Sequence, residues 1–203
     1  MTDDHRILVV AATSRELAHA DGWRGITCGV GPVEAAVHTA RAIAELRPHV
    51  IVHVGIAGAR RRSGLSAGTL VVGTHSRYHD LGDLPPEWAP REFATPGWLL
   101  QAVRAALPQA LPLAIGTSGR VGGTVSADDC DVEAMEGFGV LRAAQTAGIP
   151  AIEVRAISND IEEQDRARWQ FARAFDAITG ATPAIVDAVT AALSSHLASP
   201  PHA

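Results

Sequence analysis

The 203-residue chain contains no lysine; all 17 of its basic residues are arginines. Schiff-base catalysis, which needs a lysine amine, and a P-loop, which needs a lysine behind its glycines, are both excluded. Cysteine is nearly as scarce, since Cys28 and Cys130 are the only two and neither belongs to a CxxC pair. That is not the dense framework of a small secreted domain, so a reducing, cytoplasmic setting is expected. Excess positive charge is lacking as well. The formal net charge is -5 and the sequence pI is about 6.0, which argues against a nucleic-acid partner and for a small-molecule substrate. No uncharged apolar stretch reads as long enough to span a bilayer, and the opening MTDDHR is acidic and polar, so neither a membrane nor an export signal is expected.

What remains is a chain with 47% hydrophobic and 19% charged residues, enough for one sizeable core. A single domain over 1–203 is expected, ending in a frayed, disordered tail at about 197–203 that is rich in Ser, Pro and His. The run ILVVAA (7–12) is apolar and rich in β-branched residues, as in a strand buried on both faces. GITCGV (25–30) reads as a second strand that leads into Gly31 and Pro32. Val33, Ala36, Val37, Ala40, Ile43 and Ala44 then follow a helical stripe that Pro48 ends. VIVHV (50–54) is the next strand, closed by a turn at Gly55–Gly58, and the three segments make a βαβ unit. Further strands are read at 69–74, 111–116 and 151–157. Helices are read near 98–107, from about Ala134, and near 165–178 and 183–197. This alternation indicates an α/β fold, a three-layer sandwich with a central mixed, largely parallel twisted sheet, in which loops at the carboxyl ends of strands hold the ligand.

Four places carry polar residues after strand ends: 13–16, the glycine turns at 29–31 and 55–58, 133–137, and 155–159. GVGPVE begins like a dinucleotide fingerprint, but Glu34 occupies the third glycine position and no acidic residue closes the next strand, so a dinucleotide cofactor is not expected. The glycines read as tight turns that also let backbone approach a small ligand. Glu133 and Glu136 read as helix-start carboxylates, and Glu136, between Met135 and Gly137, is also placed to accept two hydroxyls. His75, His79 and Asp80 do not share a helical face and no third cluster joins them, so no metal is expected.

Taken together, ILVVAATSREL, GVGPVEAA, HVGIAGA, SRYHD, TVS, VEAMEG and VRAISN followed by Trp169 resemble the purine nucleosidases and phosphorylases that include methylthioadenosine/S-adenosylhomocysteine nucleosidase. Within that superfamily the chain is most similar to the futalosine hydrolases of menaquinone biosynthesis. The motifs keep the family order from Arg6 to about Ile178. The resemblance implies a nucleoside phosphorylase-like fold, no cofactor, and a homodimer or homotetramer in which SRYHD and the loop after it complete a neighbour's site. It implies that Glu16 activates the attacking water, that Arg155 helps hold it, that Met135 lies against the ribose and that Glu136 binds its hydroxyls. Ser158 and Asn159 would be the purine-facing pair, Trp169 would take the aromatic position ten residues beyond it, and Trp169, Gly55 and Ile56 would also bind substrate. Asn159 stands where adenosine-type enzymes carry an aspartate, and an amide that donates to one purine atom and accepts from another suits a 6-oxopurine. Asp160 is the second-rank candidate for a proton donor. Ile56 replaces a serine of the methylthioadenosine type, and the segment between Ser126 and Glu133 is shorter than the family's. The implied reaction is hydrolysis of futalosine to hypoxanthine and dehypoxanthine futalosine. The alternatives are hydrolysis of an adenine nucleoside, or binding of a purine nucleoside without catalysis.

Overall fold

The computed structural model describes residues 7–18, 23–82, 84–85, 87–124 and 129–198. Val125 and Ser126 of the TVS motif and most of the expected tail lie outside these residues. The two most continuous apolar runs form adjacent parallel strands, β1 (Ile7–Ala11) and β3 (Val50–Ala59), flanked on one side by β2 (Arg24–Thr27). Between β2 and β3 runs α1 (Pro32–Leu46), with Pro32 at its first turn as expected. The chain continues through β4 (Leu70–Tyr78), β5 (Glu92–Ala94), α2 (Gly97–Ala106), β6 (Leu111–Thr117), β7 (Val132–Ala134), α3 (Gly137–Thr146), β8 (Ala151–Asp160) and α4 (Phe171–Ala198).

The sheet is mixed, in the order β2-β1-β3-β7-β6-β4-β5, and β8 pairs with both β3 and β4. That double pairing joins β3, β7, β6, β4 and β8 in a ring, so the sheet is barrel-like and partly closed where an open sandwich was expected. Ala57, Ala59, Val71, Ile115, Val132 and Ile157 fill its interior. Helices still cover both outer faces. α2 and α4 pack over one through Leu99, Val103, Ile178 and Ile185, and α1 and α3 over the other through Ala35, Ala42, Val140 and Ala144.

Several expectations are corrected. Gly55–Gly58 is not a turn, because β3 runs straight through it. SRYHD lies at a strand end, its first three residues closing β4. The helix read from Ala134 begins at Gly137, so Glu133 lies in strand β7 and not at a helix start. Arg155 through Asn159 lie within β8, not after it. The two terminal helices are one, α4, with Pro183 inside; proline has no amide hydrogen, so the carbonyl of Thr179 loses its helical partner there. By length and composition α4 could cross a bilayer, contrary to expectation. Its apolar residues Ala174, Ile178, Ile185, Val189 and Leu193 are nonetheless buried in the core, as in a core helix.

The stripe read on α1 is also the wrong face. Its buried residues are Ala35, Thr39 and Ala42, whereas Val33 and Val37 are 69% and 60% exposed, next to Val30 at 54%. Size chose the face: a Cβ on Gly139 of α3 would lie 2.3 Å from the Pro32 carbonyl oxygen, so the helices meet through small residues.

Candidate active site

A cavity of about 400 Å³ opens where the carboxyl ends of β1, β3 and β8 meet the start of α3, and it is lined by Glu16, Ile56, Met135, Glu136, Ser158 and Asn159. Trp169 also reaches it. All seven were expected at the site. The two other expected residues, Arg155 and Gly55, stand directly behind its wall.

Glu16 ends a 3-10 turn after β1 and is 3% exposed. Three donors hold its carboxylate: Thr13 N–H at 2.8 Å and Thr13 Oγ1–H at 2.9 Å to Oε2, and Ile56 N–H at 3.2 Å to Oε1. Gly55 is required nearby, since a Cβ there would lie 2.2 Å from an Arg155 nitrogen and 3.0 Å from Glu16 Oε1. These glycines of β3 therefore serve close approach by side chains, while the turn reading holds at Gly29 and Gly31, with φ of 81° and 96°. The Gly31 N–H donates to Glu136 Oε1 at 3.2 Å, and Arg155 Nη1 donates to Glu136 Oε2 at 3.3 Å. Glu136 occupies the N-cap position of α3 but caps nothing. Each of its oxygens accepts one hydrogen bond, Oε1 from the glycine turn and Oε2 from Arg155, which leaves lone pairs for a ligand.

At the opposite side of the cavity the Ser158 hydroxyl donates to Asn159 Oδ1 at 2.7 Å, and Asn159 Nδ2 donates to the Asp160 carbonyl at 2.9 Å. Together they use half of the amide's capacity, leaving one N–H and one lone pair for a ligand. Asp160 itself does not line the cavity; its carboxylate pairs with Arg61 at 3.3 Å. Trp169 is fixed by its indole N–H on the Glu163 carbonyl at 2.9 Å and lies 5.5 Å from the Phe171 ring. Phe171, Phe175, Val30 and Ile161 complete an apolar wall that sequence reasoning missed. Cys28 is buried, and burial together with Glu136 and Glu16 pushes its thiol up to about 12, which removes it as a nucleophile.

Glu133 has a different task. It accepts from Thr124 N–H at 2.8 Å and from Arg60 at 3.4 Å, and His79 Nδ1 lies 3.4 Å away. The other His79 nitrogen faces Asp129 at 3.2 Å. Burial alone would lower the His79 pKa, but the Cys130 sulfur and Glu133 overrule it and raise it to about 10. The imidazolium thus ties the end of β4 to residues 129–133, over a space that Gly116 leaves open: a Cβ there would lie 2.1 Å from the ring. His79 is raised above its unfolded value of about 6.5, so its stabilisation is full below that pH and lost as pH rises through about 10. The melting temperature of a His79→Gln variant should therefore fall furthest below wild type near pH 6 and converge with it above pH 10. A gap that does not change with pH would refute the charged tie.

Comparison with known proteins gives the family. The phosphorylase superfamily matches residues 25–191. The chain is 36% identical to futalosine hydrolase of Streptomyces coelicolor, covering 79% of this chain and 77% of that protein. It is 25% identical to 5'-methylthioadenosine/S-adenosylhomocysteine nucleosidase of Desulfotalea psychrophila, covering 69% and 68%. Among solved structures, futalosine hydrolase of Helicobacter pylori superposes with a TM-score of 0.79 at 16% identity, covering 89% of this chain and 97% of that one. The methylthioadenosine/S-adenosylhomocysteine nucleosidase of Colwellia psychrerythraea, solved with adenine, gives 0.76 at 20% identity, covering 92% and 95%. With sequence similarity over most of the chain and the same fold over nearly all of it, this chain belongs to the phosphorylase superfamily.

Proposed function

We propose that this chain is a futalosine hydrolase, cleaving the N-glycosidic bond of futalosine with water to give hypoxanthine and dehypoxanthine futalosine. The observation that carries the reading is one cavity that gathers Glu16, Glu136 and Asn159 in a chain 36% identical to a futalosine hydrolase. Cleavage of a purine–ribose bond builds positive charge on the sugar and negative charge on the base, so three services are needed: a base for water, a clamp on the sugar hydroxyls and donors to the leaving purine. Glu16 takes a proton from water as its oxygen bonds to C1' of the ribose. The C1'–N9 electrons leave with the purine, towards which the free Asn159 N–H is directed; the purine anion takes a proton from solvent to become hypoxanthine, and Glu16 returns to solvent the proton it took, so one water is consumed. Glu136 accepts the ribose hydroxyls with Met135 against the sugar. Ser158 and Trp169 bound the base, and the apolar wall beyond Phe171 takes the substituent on C5'.

The enzyme acts in the cytoplasm, in menaquinone biosynthesis, as a homodimer or homotetramer with a small nucleoside as substrate. The exposed apolar stripe of α1, continuous with Val30 at the cavity rim, supports an interface with a second copy there. A second reading, hydrolysis of an adenine nucleoside, draws on the fold shared with methylthioadenosine nucleosidases. The test is to incubate the protein, with and without phosphate, with futalosine, aminofutalosine, methylthioadenosine and inosine, and to quantify the released bases. Phosphate-independent hypoxanthine from futalosine is expected. Adenine release in its place would establish the second reading, and no base from any substrate would reduce the chain to a nucleoside-binding protein.

A further inference from the structure

Behind the cavity wall, Arg155 belongs to a polar cluster whose other members, His53 and Glu153, have no role in the reading of the motifs. His53, Glu153 and Arg155 are 0%, 1% and 0% exposed. The parallel register of β3 and β8 sets His53 beside Glu153 and Gly55 beside Arg155, and alternation along the strands puts all four on one face of the sheet, towards α3. Burying three polar side chains inside two apolar strands is unfavourable unless each finds partners. Here they find one another. Arg155 Nε donates to Glu153 Oε1 at 2.8 Å, and Nη2 contacts His53 Nε2. The other ring nitrogen, Nδ1, is 2.9 Å from the Val10 carbonyl, which can only accept, so Nδ1 carries the hydrogen and Nε2 is the bare acceptor for Arg155. Burial, and then the guanidinium charge, hold the His53 pKa well below its ordinary range, in keeping with a neutral ring.

With Nε and Nη2 anchored, Nη1 alone reaches forward, to Glu136 Oε2 and the Ile56 carbonyl, both at 3.3 Å. Space is reserved for this arrangement on two separate elements. A Cβ on Gly137 would lie 2.2 Å from Glu153 Oε2, and one on Gly55 would lie 2.2 Å from Arg155 Nη1.

We infer that Glu153 and His53 are positioning residues that fix the plane of the Arg155 guanidinium, and through its Nη1 the Glu136 carboxylate that receives the sugar hydroxyls. The inference rests on the nucleoside reading given above. A displacement of the clamp by about 1 Å suffices for an effect of about 10²-fold on turnover. It should fall on recognition of the sugar and spare recognition of the base, which Ser158 and Asn159 handle at the far side of the cavity.

The test compares wild type with Glu153→Gln, Glu153→Ala, His53→Ala and Gly137→Ala. For each, kcat/KM is measured on futalosine and on its 2'-deoxy analogue, together with the Kd of free hypoxanthine. Glu153→Ala and Gly137→Ala should lower kcat/KM on futalosine about 10²-fold and shrink the preference for the ribosyl over the deoxyribosyl substrate about 10-fold, with the hypoxanthine Kd within about twofold of wild type. Glu153→Gln keeps size and an acceptor for Nε, so it should retain most of both quantities and stay measurable if the alanine variant does not fold. An undiminished ribosyl preference in Glu153→Ala and His53→Ala overturns the inference. A loss of hypoxanthine affinity equal to the loss of kcat/KM overturns it too, by showing general damage. If the wild-type chain releases no base from any nucleoside, the functional reading has failed instead.

Discussion

Replacing Glu16 by Gln is expected to lower kcat about 10³-fold, with little change in KM and no loss of fold. General-base assistance is worth about 10²–10⁴-fold, and an amide of the same size takes Glu16's place but cannot accept the proton of the attacking water. The neighbours of Glu16 show why the fold survives. Two of its three donors, Thr13 N–H and Thr13 Oγ1–H, converge on Oε2, and the amide oxygen of Gln can keep both. Its NH₂ then faces the Ile56 N–H in place of Oε1, a mismatch of about 1–3 kcal/mol for a buried donor without a partner. A loss confined to kcat marks an interaction made in the transition state. The measurement is steady-state release of hypoxanthine, alongside a thermal melt. Full turnover by Glu16→Gln would remove Glu16 from the role of base.

Much of this site is legible in the chain because the apolar runs of β1 and β8 give way to polar residues where the strands reach the cavity, at Thr13–Glu16 and Ser158–Asn159, while β3 reaches it through the glycine-flanked Ile56–Gly58. Strand lengths are less legible. Gly55 and Gly58 look like a turn because glycine usually signals one, yet their backbone is extended and only the crowding by Arg155, Ile161 and Asn159 explains them. β7 was hidden because its one carboxylate, Glu133, with Glu136 after it, mimics the start of a helix. Closure of the sheet by β8 could not be read at all, since it depends on which strands pair and not on what either contains.

Two signals were present and unread. Glu153 and Arg155 alternate within AIEVRAI, and His53 interrupts VIVHV; polar residues on one face of otherwise buried strands must answer one another. The face of α1 was misread for the opposite reason. Alanine and valine occur all round that helix, so hydrophobicity does not select a side, and the contact is decided by how closely Gly139 lets α3 approach.

The same cluster sets the second large effect. Arg155→Met is expected to destabilise the fold by about 3–5 kcal/mol, because removing one partner of a buried ion pair leaves uncompensated charge, and to abolish turnover. Against a domain stability of about 5–15 kcal/mol this is a large share. Glu153 and Glu136 would then face each other without the guanidinium, and the His53 Nε2 would lack a donor. Already in the wild-type chain, burial and then its fellow carboxylate Glu136 push the Glu153 pKa above the ordinary carboxylate range, with Arg155 opposing them. Without Arg155 that opposition disappears and the folded-state value rises further. A group raised in this way favours the fold below its unfolded pKa and ceases to do so as pH climbs through the folded value. The deficit of Arg155→Met relative to wild type should therefore be smallest near pH 4 and widen towards pH 8, as the pH rises above the ordinary carboxylate range. Urea unfolding at the two ends of that range measures it. Adding Glu153→Leu to Arg155→Met should recover part of the loss and flatten the pH dependence, because an apolar pair of similar volume needs no counter-charge. A deficit that instead narrows as pH rises would show that Arg155 does not hold these carboxylates in place by its charge.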